Sequence, residues 1–218
     1  ILQIKPLNYE GLKEAWETSA AATAHDANMA MWYDAAKDAV AQLIEQAVML
    51  SQKYDAVVTN PPYMGSSGMG ANLTNFVKKY YPDSKSDLFA VFIEVCSHMA
   101  AEKRYQAMIT QHAWMFLSSY EKLREKMLLT ETVNMAHLGA RAFEEIGGEV
   151  VQTTSFVRCR THIDGYKGTY CRLIEPTSQQ GKEDMFLAGG NRYFVNQDNF
   201  AKIPGRPDFP LQKICIIV

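Results

Sequence analysis

The chain has 218 residues, 47% of them hydrophobic and 21% charged, with a formal net charge of -2. That length and balance read as an ordinary globular protein with one domain, or one and a fraction, around a real core. The near-neutral charge excludes a surface that wraps nucleic acid by bulk electrostatics, so any such contact has to be local.

In chain order, the segment from Tyr9 to Gln52 is rich in Ala, Glu, Gln and Lys, lacks Pro, and sets Val40, Leu43, Ile44 and Ala47 at helical spacing. A helical segment is expected over 1–53, with a break and a fresh N-cap at His25-Asp26-Ala27-Asn28. Asp55-Ala56-Val57-Val58-Thr59 is a short β-branched run, the pattern of a central parallel strand covered on both faces. Asn60-Pro61-Pro62-Tyr63 ends it, because proline gives the ladder no N–H and fixes an extended exit.

Gly65, Gly68 and Gly70 among serines predict a mobile loop, followed by a helix over 73–80. Ser86 is expected to cap a helix whose Leu88, Val91, Phe92, Val95 and Met99 share one face. A strand over 106–110 comes next, and then Ser118-Ser119-Tyr120-Glu121 has the form of a capping box opening a helix to about Leu129. Strands are expected over 133–138 and 150–158, with Gly147-Gly148 turning between them, and a further hairpin strand over 169–174. From Pro176 onward the composition gives no clear element. Strands alternating with helices and closing on a hairpin make part of an α/β sheet with helical crossovers. Ligands of such sheets bind beyond the carboxyl ends of the strands, where Asn60 stands.

The four cysteines, Cys96, Cys159, Cys171 and Cys215, contain no CxxC pair and form no metal pattern with the five histidines. They suit free thiols in a reducing, cytoplasmic setting. No apolar run is long enough to span a bilayer, so no membrane partner is expected.

The chemistry open to Asn60-Pro61-Pro62-Tyr63 is specific. An exocyclic amino nitrogen such as adenine N6 is a poor nucleophile, because its lone pair is delocalised into the ring. Two acceptors that favour a tetrahedral nitrogen free that lone pair, and an Asn side-chain carbonyl with a backbone carbonyl supplies them without a titratable base. Asn60 Oδ1 and the Pro61 carbonyl are the natural pair, the prolines stiffen them, and Tyr63 offers a ring for a base swung out of the duplex. A bare Asn-Pro-Pro-aromatic also serves as a plain strand-terminating turn. The buried-type strand before it and the second strand-helix unit after it favour the catalytic reading.

At these residues the sequence resembles the N6-adenine DNA methyltransferases of the class that orders cofactor binding, catalysis and target recognition along the chain. Ser86-Asp87-Leu88-Phe89-Ala90-Val91-Phe92-Ile93-Glu94 is similar to the motif lining the donor's adenosine pocket, which implies a cofactor role for Asp87 and Phe89. Phe143, in Gly139-Ala140-Arg141-Ala142-Phe143, matches the position of an aromatic ring against the flipped base, and Pro62 is implied as a second base contact. Val58-Thr59-Asn60-Pro61-Pro62-Tyr63-Met64-Gly65, Gln111-His112-Ala113-Trp114-Met115-Phe116 and Gly147-Gly148-Glu149-Val150-Val151-Gln152 resemble the methyltransferases of BREX phage-defence systems. That similarity fades after Gly205.

The resemblance implies S-adenosylmethionine as donor, double-stranded DNA with a flipped adenine as substrate, and other defence-system proteins as partners. It implies part of a Rossmann-like methyltransferase sheet with helices on both faces and a C-terminal antiparallel hairpin. From the residues alone, Phe143 reads equally as core, and Asp87 as a first-turn acid on the helix dipole. Lys78 and Lys79, beside Tyr80 and Tyr81, read as a solvated helix end or as a track for a DNA strand, and His112 as structural or as a site residue.

The family's Gly-rich donor turn and its acidic partner are not found before Asn60, and one βαβ unit takes roughly 30 residues. Ile1 is not an initiator methionine, and the sequence ends on Ile214-Cys215-Ile216-Ile217-Val218. The expectation is a fragment: 54–175 as the catalytic half of a methyltransferase domain, and 176–218 as an irregular segment leading toward a target-recognition region. On that expectation the donor site is incomplete. The competing functions are a non-catalytic module, or methylation of another planar amino group such as cytosine N4.

Overall fold

The computed structural model describes residues 9–23, 26–143 and 151–202. Gly147-Gly148 and everything past 202 fall outside them. The chain divides between Lys53 and Tyr54 into two units. In the first, α1 (Tyr9–Thr23) and α2 (Ala27–Ser51) meet through Trp16 and Tyr33, whose rings stack at 4.8 Å. Asp26 caps α2 as its position suggests, accepting from the N–H groups of Asn28 at 2.9 Å and Met29 at 3.2 Å.

The second unit is built on six strands: β1 (Tyr54–Thr59), β2 (Ala100–Gln111), β3 (Glu131–Gly139), β4 (Thr153–Cys159), β5 (Gly168–Arg172) and β6 (Arg192–Val195). Their order in the sheet is β1-β2-β4-β3-β5-β6. β1 and β2 run parallel, as do β3 and β5, while β4 lies antiparallel between β2 and β3. The strand expected over 169–174 is β5; its antiparallel partner is β6, and the hairpin between them encloses α6 (Gln179–Leu187).

Register lines up Met108, Phe156, Met135 and Tyr170 in one row across four strands. Onto that row pack Phe89, Ala90, Ile93 and Cys96 of α4 (Leu88–Met99) and Leu123 and Met127 of α5 (Glu121–Met127). Burying each Met or Phe of this set contributes about 1.5–3 kcal/mol. On the sheet's other face, Ala136, Leu138 and Leu173 line a cavity with Gln179 and Lys182 of α6. The sheet thus carries helices on both faces, in a Rossmann-like mixed arrangement.

Four local expectations need correction. β1 is an edge strand among the described residues, with β2 beside it and Val58 74% exposed. A β-branched run signals a capacity for burial on two faces, but the neighbours that would bury it are not encoded in the run itself. The N-cap of α4 is Asp87, because the Ser86 carbonyl is already accepting from the Ser66 N–H at 3.0 Å. Ser118 forms no capping box: a 3-10 turn over Ser118–Tyr120 precedes α5. Finally, the stretch after Pro176 is ordered into α6, β6 and a 3-10 turn at Gln197–Lys202. Gln197 holds that last turn to the sheet, accepting from the Thr132 N–H at 3.0 Å and donating to the Thr130 carbonyl at 2.6 Å. Such long-range bonds leave no local periodicity to read.

Candidate active site

Asn60 stands exposed just past the carboxyl end of β1, and Pro61 behind it is buried. Pro62 is exposed, and Tyr63 turns back as a half-buried wedge. The Tyr63 ring meets Phe89 edge to face at 6.1 Å, and its hydroxyl reaches the Ile109 carbonyl of β2 at 3.5 Å. Burial raises the Tyr63 pKa, so the ring stays a neutral phenol at physiological pH. Strand pairing fixes the loop at its start, where Thr59 lies opposite Met108. An exposed amide is therefore held between a paired strand and an aromatic wedge.

Past the wedge, the chain is fastened to the entrance of α4. Met64 donates its N–H to Asp87 Oδ1 at 3.0 Å, and Leu88 donates its own to the Met64 carbonyl at 3.0 Å. The same Asp87 oxygen accepts from the Phe89 N–H at 3.2 Å. Burial raises the Asp87 pKa, and the bonds from Phe89, Met64 and Leu88 oppose that rise. Phe89 is 1% exposed and touches both Tyr63 and Tyr120, so the two residues implied at the cofactor both support the loop.

Phe143 lies in a different hollow. It lines a cavity of about 520 Å³ with Leu138, Leu173, Gln179, Lys182 and Phe186. A second hollow of about 400 Å³ takes in Asn60, Val58, Ala107 and Ile109, and the two meet at Ser155. The turn that leads from β3 to Phe143 passes through Gly139 at φ +66°, where a side chain would strike Ile174. α6 grips that turn: Gln179 donates to the Ala142 carbonyl at 3.0 Å, and Lys182 donates to the carbonyls of Leu138 and Leu173 at 2.6 and 2.8 Å.

His112 is no isolated ring. Its Nδ1 lies 3.0 Å from Nε2 of His137 on β3, a pairing that requires one nitrogen to donate and the other to accept. Burial, and then the charges of His112, Arg172 and Lys182, lower the His137 pKa to about 4. Trp114 is core, its Nε1 donating to Thr110 Oγ1 at 3.0 Å. Lys78 and Lys79 end α3 (Ala71–Tyr80) on the surface, with the Lys79 ammonium 4.9 Å from the Tyr80 ring centre. The bonds of His137 to His112, Gln179 to Ala142 and Lys182 to Leu138 span 25, 37 and 44 positions, so no local pattern marks these three as site residues.

Comparison with known proteins places these features in a family. The model of the Eco57I restriction-modification methylases matches residues 3–141. The adenine-specific methyltransferase PglX of Lacticaseibacillus casei (strain Zhang) is 54% identical over 171 residues, which cover 76% of this chain. The adenine-specific methyltransferase BrxX of Escherichia coli O9:H4 (strain HS) is 48% identical over 175 residues, 78% of this chain. The matched region spans 14% of the length of each of these relatives. The fold is also similar to that of the ATP-dependent Type ISP restriction-modification enzyme LlaBIII, at a TM-score of 0.53 and 10% identity, over 78% of this chain and 13% of that one. Among the described residues no helix is long and apolar enough to cross a membrane.

Proposed function

This chain belongs to the Eco57I restriction-modification methylase family, and we propose that its Asn60–Tyr63 loop carries the catalytic step of adenine N6 methylation in double-stranded DNA. Family membership implies S-adenosylmethionine as the methyl donor, and the sulfonium supplies the activated methyl group when bound. Of the residues the resemblance implies at that donor, Phe89 is buried, and Asp87 Oδ1 accepts from two backbone N–H groups.

The observation that carries the reading is the placement of Asn60. It is exposed at a strand's carboxyl end, on a backbone made stiff by two prolines and anchored by Tyr63. Asn60 Oδ1 and the Pro61 carbonyl accept the two hydrogens of the amino group and hold its lone pair out of conjugation. Tyr63 and Pro62 support the flipped base, and Phe143 closes on it from the neighbouring hollow. The base-reading surface and partner proteins of a BREX-type defence system belong to the same proposal, as does 54–175 as the catalytic half of the domain.

Mapping N6-methyladenine in the DNA of cells that express the whole protein, with and without Asn60→Ala, tests this reading. Modification at a defined sequence that disappears in the variant is the expected result. Modified cytosine in place of adenine, or a modification pattern untouched by Asn60→Ala, would sink it.

A further inference from the structure

We infer that Asp87 is a positioning residue that latches the Asn60–Tyr63 loop to the first turn of α4. This deepens the function proposed above and rests on it. One carboxylate oxygen does both jobs, accepting from the Met64 N–H at 3.0 Å and from the Phe89 N–H at 3.2 Å. As a helix N-cap it satisfies a donor the helix leaves orphaned, and its charge sits favourably at the positive end of the helix dipole. By also holding Met64 it couples that stable point to the residue immediately after Tyr63.

Besides the Tyr63–Phe89 ring contact, the other links between these segments are main-chain hydrogen bonds: Leu88 N–H to the Met64 carbonyl, and Ser66 N–H to the Ser86 carbonyl, both at 3.0 Å. They form a single antiparallel bridge centred on Gly65 and Asp87. Asp87 is the side chain that hydrogen-bonds them to a rigid body. The platform beneath it is well fixed. Ser84 Oγ donates to Glu94 at 2.6 Å, and Lys126 spans Asp83 and Glu94 at 2.7 Å to each. Phe89, Ala90 and Ile93 then bury α4 in the core.

The consequence is chemical. Acceptors that reshape an amino nitrogen work only within a narrow geometry, and a displacement of about 1 Å can cost about a hundredfold in rate. A latch loosened at Met64, four residues after Asn60 and three after Pro61, lets both acceptors drift without unfolding the sheet. A side chain that instead touched the donor would act on donor affinity. The two roles therefore separate in kinetics.

The test uses the whole protein, a duplex oligonucleotide carrying its target site, and three variants. Asp87→Asn keeps an oxygen for both N–H groups. Asp87→Ser keeps a good helix cap, but its hydroxyl falls about one bond length short of the Met64 N–H. Asp87→Ala loses both bonds. The latch predicts near-normal kcat for Asp87→Asn, and a fall of about tenfold or more for Asp87→Ser at an unchanged melting temperature. KM for S-adenosylmethionine should stay within about twofold in both. Asp87→Ala should match or exceed the loss in Asp87→Ser. A raised donor KM at normal kcat would replace the latch with a donor contact, and full activity in Asp87→Ser would overturn it. Absence of adenine methylation by the unmutated protein would instead refute the proposed function, so the two failures are distinct.

Discussion

The two ends of the site are built by opposite means. The loop at the end of β1 is held by strand pairing, by a Tyr63 wedge whose hydroxyl reaches Ile109, 46 positions on, and by an Asp87 cap 23 residues on from Met64. The turn that carries Phe143, at the end of β3, is gripped by long side chains of α6, Gln179 and Lys182, reaching back 37 and 44 positions. The first end is stiffened by proline and main-chain bonds. The second depends on a buried ammonium and an amide. The His112–His137 contact ties the end of β2 to β3, since one ring follows β2 and the other sits in β3.

The largest expected effect concerns that tie. Burial holds His137 neutral with its pKa lowered to about 4 from 6.5. The stability this neutral state carries is complete above the unfolded value and is lost as pH falls from about 6.5 toward 4, because the unfolded chain takes up the proton first. Up to about 3 kcal/mol is at stake. Urea denaturation of this chain at pH 7 and pH 4.5 should show the loss, and His137→Gln should flatten the difference. An equal loss in that variant would place the acid sensitivity elsewhere.

Next comes Lys182→Met, which keeps the aliphatic stem and leaves the carbonyls of Leu138 and Leu173 without their donor. A loss of about 1–3 kcal/mol is expected, read as a lowered melting temperature. Faster hydrogen exchange should be confined to the turn after β3 and to α6. Uniformly faster exchange that included the Asn60 loop would erase the contrast between the two ends.

Phe143→Ala should have the smallest structural effect. Phe143 is only half-buried, so stability should change by less than about 1 kcal/mol. In the whole protein, fluorescence from 2-aminopurine at the target position should report a shift of about tenfold or less in base flipping. A large fall in melting temperature with unaltered flipping would make Phe143 core.

The same contrast explains what could be read from the sequence. Asn60-Pro61-Pro62-Tyr63 is a contiguous signal whose strand exit, stiffness and chemistry follow from residue type, and the α4 face from Leu88 to Met99 follows from helical spacing. The exposure of β1 is not legible in the sequence, because a run such as Val57-Val58 states how apolar a strand is and not what lies against it. Asp87 was visible as an acid at a helix start, yet its hold on Met64 depends on how two loops meet. The α6 clamp and the histidine pair were illegible for the same reason. A buried Lys182 and a buried His137 carry no local mark that distinguishes them from surface residues.

The most direct measurement is single-turnover methyl transfer by the whole protein on a duplex containing its target adenine, comparing unmutated protein with Asn60→Ala. A fall of about a hundredfold or more in the chemical rate, with DNA and donor affinities unchanged, is expected if Asn60 holds the amino group. An unaltered rate in a folded, donor-saturated Asn60→Ala protein would contradict the catalytic assignment of the loop.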